Sequence, residues 1–123
     1  MADIIIIDDE DVLRLTMRKI LERVGHTIRD AGNGDEGIRL HREQPAELVI
    51  TDLYMPGKEG IETIQELKRR EPDLPILAVS GGSAVMDAES TLADAELLGA
   101  DAILPKPFSV DELREAVAQL VGP

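Results

Sequence analysis

The chain has 123 residues, is 43% hydrophobic, and carries a formal net charge of −12 from 13 basic and 25 acidic residues. That balance excludes a disordered chain and gives no basic face of the size that duplex nucleic acid or an anionic membrane requires. Without cysteine there is no disulfide, thiolate metal site or cysteine nucleophile, and no apolar run reaches membrane-spanning length.

The opening "MADIIIIDDE" enters an apolar run directly. It has neither the basic region nor the small-residue cleavage site of a secretory signal, so a cytoplasmic location is expected. Ile4-Ile5-Ile6-Ile7 is β-branched and continuous, which suits a strand covered on both faces. Asp11 to Val24 follows as a helix, with Leu13, Met17, Ile20, Leu21 and Val24 on one stripe, and Gly25 ends it. His26 to Asp30 reads as a weaker strand at an edge. "NGDEGIRLHREQP" is a short polar helix stopped before Pro45, and Leu48 to Thr51 is a buried strand.

Lys58 to Arg70 is expected to be a helix with Ile61, Ile64 and Leu67 inward, ended by Pro72 and Pro75. Ile76 to Val79 is the fourth strand. A Gly/Ser-rich loop leads to a fourth helix that runs to Gly99, and Ala102 to Leu104 is a short fifth strand. Ser109 to Val121 is the fifth helix, with Val110, Leu113, Val117, Leu120 and Val121 apolar and Ser109 and Glu112 spaced as a capping box. Five βα units in one domain, spanning 1–123, imply a flavodoxin-like doubly wound parallel sheet with helices on both faces.

In such sheets ligands bind at the carboxyl ends of the strands. The first strand is followed by Asp8-Asp9-Glu10, the third by Asp52 and the fourth by Ser80, while Lys106 follows the fifth. Taken singly, Asp9 or Asp11 can simply open a helix, Asp52 cap a turn before Pro56, Ser80 belong to a loop, and Lys106 be a solvated loop lysine. Taken together they gather at one sheet edge, where oxygen-only ligands suit a hard cation such as Mg²⁺. A flavin or nucleotide binder on the same sheet would need an anion cradle where "DDED" stands, and the chain has one Phe and one Tyr for stacking. A Mg²⁺-dependent phosphohydrolase would usually place two aspartates around its nucleophile, and "DLY" offers one.

The acidic pair Asp8-Asp9, "DLYMPGKEG" at 52–60, Ser80, "GAD" at 99–101 and "KPF" at 106–108 form an ordered set. In that set the chain resembles the receiver domains of two-component response regulators over essentially its whole length. The resemblance implies that Asp52 is the phosphoryl acceptor, taking its group from the phosphohistidine of a sensor histidine kinase or a histidine phosphotransferase. It implies Mg²⁺ held by Asp9, Asp52 and the Tyr54 backbone carbonyl, and through water by Asp8. Lys106 and the Ser80 hydroxyl would contact phosphoryl oxygens, the amides of Leu53 and Gly81 would add donors, and Lys106-Pro107 would be a cis bond.

Such a domain is a signalling module that catalyses only its own phosphorylation and dephosphorylation. It would act on a protein target through the face made by the fourth helix, fifth strand and fifth helix. With no GxxxxGK[ST] loop there is no sign of ATP binding. His26 and His41 are read as surface or edge residues and not as phospho-carriers. Met1-Ala2 suggests a stand-alone receiver, and the alternative is a receiver cut from a longer regulator or hybrid kinase.

Three departures stand out. Ile103 occupies the position where many receivers carry a switching aromatic ring. The stretch from Ser80 to Gly99 is longer by roughly one helical turn, which suggests an extended, flexible loop or an altered helix start. Tyr54 and Gly82 occupy positions that tune loss of the phosphoryl group in the family.

Overall fold

The computed structural model describes residues 2–53, 60–80 and 99–122, with the Ser80 side chain left out. Its elements are β1 (Asp3–Ile7), α1 (Asp11–Arg23), β2 (Thr27–Ala31), α2 (Gly34–Glu43), β3 (Leu48–Asp52), α3 (Gly60–Arg70), β4 (Ile76–Ser80), β5 (Ala102–Pro105) and α4 (Val110–Val121). The expected fourth helix, between Ser80 and Gly99, lies outside the described residues, so α4 is the helix expected as the fifth.

All five strands are parallel, in the order β2-β1-β3-β4-β5. This is the expected flavodoxin-like sheet, with β2 at an edge. The period of two divides the isoleucine run between two cores. Ile4 and Ile6 join Leu48, Ile50, Leu77 and Val79 beneath Met17 and Leu21 of α1 and Leu113 and Val117 of α4. Ile5 and Ile7 join Val49, Ile76 and Ala78 beneath Ile38 of α2 and Ile64 and Leu67 of α3. All four isoleucines are fully buried, which is why the strand reads as continuous rather than alternating.

Local chemistry agrees with the topology. Ser109 Oγ accepts from the Glu112 N–H and Glu112 Oε1 accepts from the Ser109 N–H, completing the capping box at the start of α4. Asn33 caps α2 by accepting from the Glu36 N–H. Asp101, the acid of "GAD", accepts from both the Ile76 N–H and the Lys68 ammonium at 2.8 Å. It thereby ties the approach to β5 to the start of β4 and the last turn of α3.

Three expectations need correction. Val24 and Val110 are 43% and 45% exposed. Val24 lies in the turn that ends α1, and Val110 opens α4 before its stripe reaches the sheet at Leu113. His41 is buried, not a surface residue. Its Nδ1 accepts from the Ala46 N–H at 3.0 Å, which leaves the ring proton on Nε2, 2.9 Å from Glu71 Oε2. His41 thus pins the end of α2 to the approach to β3 and to the residue after α3.

Gly60 opens α3 against the backbone that carries Asp52. A Cβ there would fall 1.8 Å from the Asp52 carbonyl oxygen and 2.6 Å from Leu53 Cα. Both are backbone atoms, so no side-chain rotation relieves the clash. We expect Gly60→Ala to lower stability by about 1–3 kcal/mol, read as a fall in the urea midpoint, with α3 displaced from the end of β3.

Candidate functional site

The strand registers assemble the site. Ile7 pairs with Thr51 across β1 and β3, so the next residues, Asp8 and Asp52, emerge side by side. Ser80 pairs with Pro105 across β4 and β5, which places Lys106 one residue further along the same sheet edge. The chain crosses from β1 to β2 on one side and to β3 on the other, so this edge is the topological switch point.

Carboxylate oxygens of Asp8, Asp9 and Asp52 lie within 4.8 Å of one another. Asp8 is fully buried and Asp52 is 5% exposed, while Asp9 faces solvent. The Lys106 ammonium donates to Asp52 Oδ2 at 3.3 Å and stands 3.6 Å from Asp8 Oδ2. The Lys106–Pro107 peptide bond is cis. Asp8 Oδ1 accepts from the Glu10 N–H at 2.9 Å, while Asp8 Oδ2 is buried without a hydrogen-bond partner among the described residues.

Burial pushes the Asp8 carboxyl above the ordinary carboxylate range, and the negative charges of Asp52 and Asp9 add to the rise. The Glu10 amide and Lys106 oppose it. Among the described residues one ammonium faces the three carboxylates, and Asp8 Oδ2 has that ion pair but no hydrogen bond. An all-oxygen donor set of this kind fits Mg²⁺.

The structure thus brings together Asp8, Asp9, Asp52 and Lys106. Ser80 ends β4 at the same edge, but its hydroxyl lies outside the described residues, as do Tyr54, Gly81 and Gly82. Leu53 requires a correction. Its N–H donates to the Val79 carbonyl at 3.0 Å, continuing the β3–β4 ladder. That amide is committed to the sheet and is not available to a phosphoryl oxygen. Ile103 is partly buried and packs against the core beneath α2 and α3.

One participant has no counterpart among the residues singled out from the sequence. Arg14, on α1, donates through Nη1 to the Asp8 carbonyl at 2.7 Å. Its signal was weak but present: a helical side chain leans toward the helix N-terminus, so an arginine one turn into α1 reaches back over the "DDE" turn.

Comparison with known proteins agrees with this geometry. The family model described as response regulator receiver domain matches residues 4–118. The DNA-binding transcriptional regulator NtrC of Azospirillum brasilense is 34% identical over 98% of this chain, which spans 24% of that protein. The probable C4-dicarboxylate response regulator DctR of Bacillus subtilis (strain 168) is 34% identical over 93% of this chain, which spans 50% of it. The chain thus spans half the length of these relatives or less. The crystal structure of the receiver domain of NtrX from Brucella abortus superposes with a TM-score of 0.87 at 28% identity, covering 97% of this chain and 98% of that one. Fold, acidic switch-point site and matched length converge: the chain belongs to the response regulator receiver domain family.

Proposed function

We propose that this chain is the phosphoacceptor of a two-component system or phosphorelay, with Asp52 receiving the phosphoryl group of a phosphohistidine on a sensor histidine kinase or histidine phosphotransferase. The observation that carries this reading is the Lys106 ammonium set between Asp52 and Asp8 in a three-carboxylate cluster at the switch point. A carboxylate oxygen of Asp52 attacks phosphorus. The new O–P bond forms as the N–P bond breaks, and the bonding pair stays on the leaving imidazole nitrogen. Charge in such a transfer spreads over the phosphoryl oxygens, so the site's work is positioning and electrostatic stabilisation. Lys106, already beside the acceptor, pairs with one of those oxygens.

Asp9 and Asp52 would hold Mg²⁺ directly, with Asp8 behind them. When bound, the ion supplies positive charge that offsets both the carboxylates and the phosphoryl oxygens. The Ser80 hydroxyl, the Tyr54 carbonyl and the Gly81 amide complete the proposed set. The signal passes to a protein target through the surface that includes β5 and α4. Ile103 has no ring to swing, so the response leaves through other parts of that surface. The composition and the absence of a long apolar helix among the described residues support a cytoplasmic setting away from membranes and nucleic acid.

Incubation with acetyl phosphate and Mg²⁺, followed by intact mass, tests the acceptor. The chain should gain one phosphoryl group and Asp52→Asn none; equal labelling of the two would sink the assignment. Asp9→Ala should weaken Mg²⁺ binding more than Glu10→Ala, because the exposed Glu10 side chain is absent from the carboxylate cluster.

Asp8→Asn keeps the oxygen that accepts from Glu10 and removes a buried negative charge. Without metal it should raise stability, read as a higher urea midpoint. The further stabilisation that Mg²⁺ gives the parent should shrink in the variant. Paired urea titrations, with and without Mg²⁺, read both effects, and a less stable metal-free Asp8→Asn would contradict the repulsion assigned to this cluster.

A further inference from the structure

We infer that Arg14 is a positioning residue for the site: its guanidinium clamps the peptide between Asp8 and Asp9, and so sets the affinity of the carboxylate cluster for Mg²⁺. The inference rests on the reading of Asp8, Asp9 and Asp52 as the metal-holding set.

Three N–H groups of one guanidinium reach three separate parts of the chain. Nη1 donates to the Asp8 carbonyl at 2.7 Å, Nε to Asp30 Oδ2 on β2 at 2.8 Å, and Nη2 to Asp11 Oδ1 at 2.7 Å. The Arg14 side chain is 18% exposed, so its bonds to the Asp8 carbonyl and to Asp30 are partly shielded from water, while that to Asp11 is exposed. A planar fork with its donors in fixed directions orients its acceptors in a way that an ammonium cannot.

The Asp8 carbonyl belongs to the peptide that joins the two acidic residues. Its rotation turns both side chains at once. On the near side the strand end is held by the Asp8 N–H donating to the Ala31 carbonyl at 3.1 Å. On the far side Asp8 Oδ1 holds the Glu10 N–H. Arg14 supplies the remaining hold, on the carbonyl itself. Asp9 is exposed, and among the described residues its carboxylate takes part in no hydrogen bond or ion pair, so the backbone alone sets the Cα–Cβ direction from which it reaches the cluster.

Arg18 provides an internal control. It also pairs with Asp30, at 2.6 Å, and with Glu22 at 3.1 Å, but makes no hydrogen bond to the turn between β1 and α1. Simple Coulomb attraction predicts that removing either arginine strengthens cation binding, because a nearby positive charge is lost. Positioning predicts the opposite sign for Arg14 alone.

The experiment is a titration of the metal-free chain with Mg²⁺, followed by NMR, for the parent, Arg14→Ala, Arg14→Lys and Arg18→Ala. Arg14→Ala and Arg14→Lys should raise the apparent Kd about tenfold, the lower end of the range for groups that orient metal ligands. Arg18→Ala should bind as tightly as the parent or more so. In metal-free protein, exchange of the Glu10 amide should quicken in both Arg14 variants and stay unchanged in Arg18→Ala. Labelling by acetyl phosphate should slow at limiting Mg²⁺ in the Arg14 variants and recover at saturation. If Arg14→Ala does not fold, Arg14→Lys carries the test, since it keeps the charge and the aliphatic stem. Folded Arg14 variants with parental Mg²⁺ affinity would overturn the inference. Loss of Mg²⁺ binding in the parent itself would instead overturn the metal assignment beneath it, and Glu10 exchange would still decide whether Arg14 holds the turn.

Discussion

The site depends on the parallel register between β1 and β3. Both strands are buried on both faces, so their polar residues are expelled to the strand ends. Because Ile7 stands opposite Thr51, the residues that follow them, Asp8 and Asp52, lie side by side across the ladder. A slip of one residue would move every side chain of a strand to the opposite face of the sheet and separate Asp8 from Asp52. Core packing therefore fixes the spacing of two carboxylates that would not approach each other on electrostatic grounds.

That enforced proximity has an energetic cost. Asp8 is buried with one oxygen lacking a hydrogen-bond partner among the described residues, and its carboxyl is pushed upward by burial and by its acidic neighbours. Lys106 offsets part of the charge from a distance of 3.6 Å. The rest is supported by two apolar layers that hold the sheet together whatever stands at its end. Functional sites commonly carry such locally unfavourable arrangements on a stable scaffold. Here the same concentration of carboxylates makes a cluster that could hold a cation.

The sheet was legible because run length and residue type separate buried strands from helices, and the aspartates because they end those runs. Tertiary contacts limited the rest. The polarity of His41 suggests the surface, but its burial is created by Ala46 and by Glu71, thirty residues away. The apolar stripe of α4 reads as unbroken from Val110, but the sheet meets the helix only from Leu113. Whether the Leu53 amide is free depends on the β3–β4 pairing, since Val79 takes its hydrogen. Arg14 escaped because its acceptor is a backbone carbonyl, so its only mark in the residue pattern is an arginine one turn into α1. The placement of Tyr54, Gly81 and the expected fourth helix falls outside the described residues.

Two cations serve this acidic cluster in different ways. Lys106 meets the carboxylates directly as a compact, strongly hydrated charge on a flexible stem. In the proposed phosphoryl transfer, such a group can shift from carboxylate to phosphoryl oxygen as charge moves between them. Arg14 stands on the other side of β1 with its donors divided among Asp8, Asp11 and Asp30, and it touches backbone rather than ligand oxygens. A mobile point charge suits the proposed step, in which charge is redistributed, and a rigid fork suits the positioning role inferred for Arg14. Exchanging the two residue types would therefore damage the site at both ends: a lysine at 14 cannot satisfy three acceptors in separate directions, and an arginine at 106 would fill the space beside Asp52 with a planar group that demands paired acceptors.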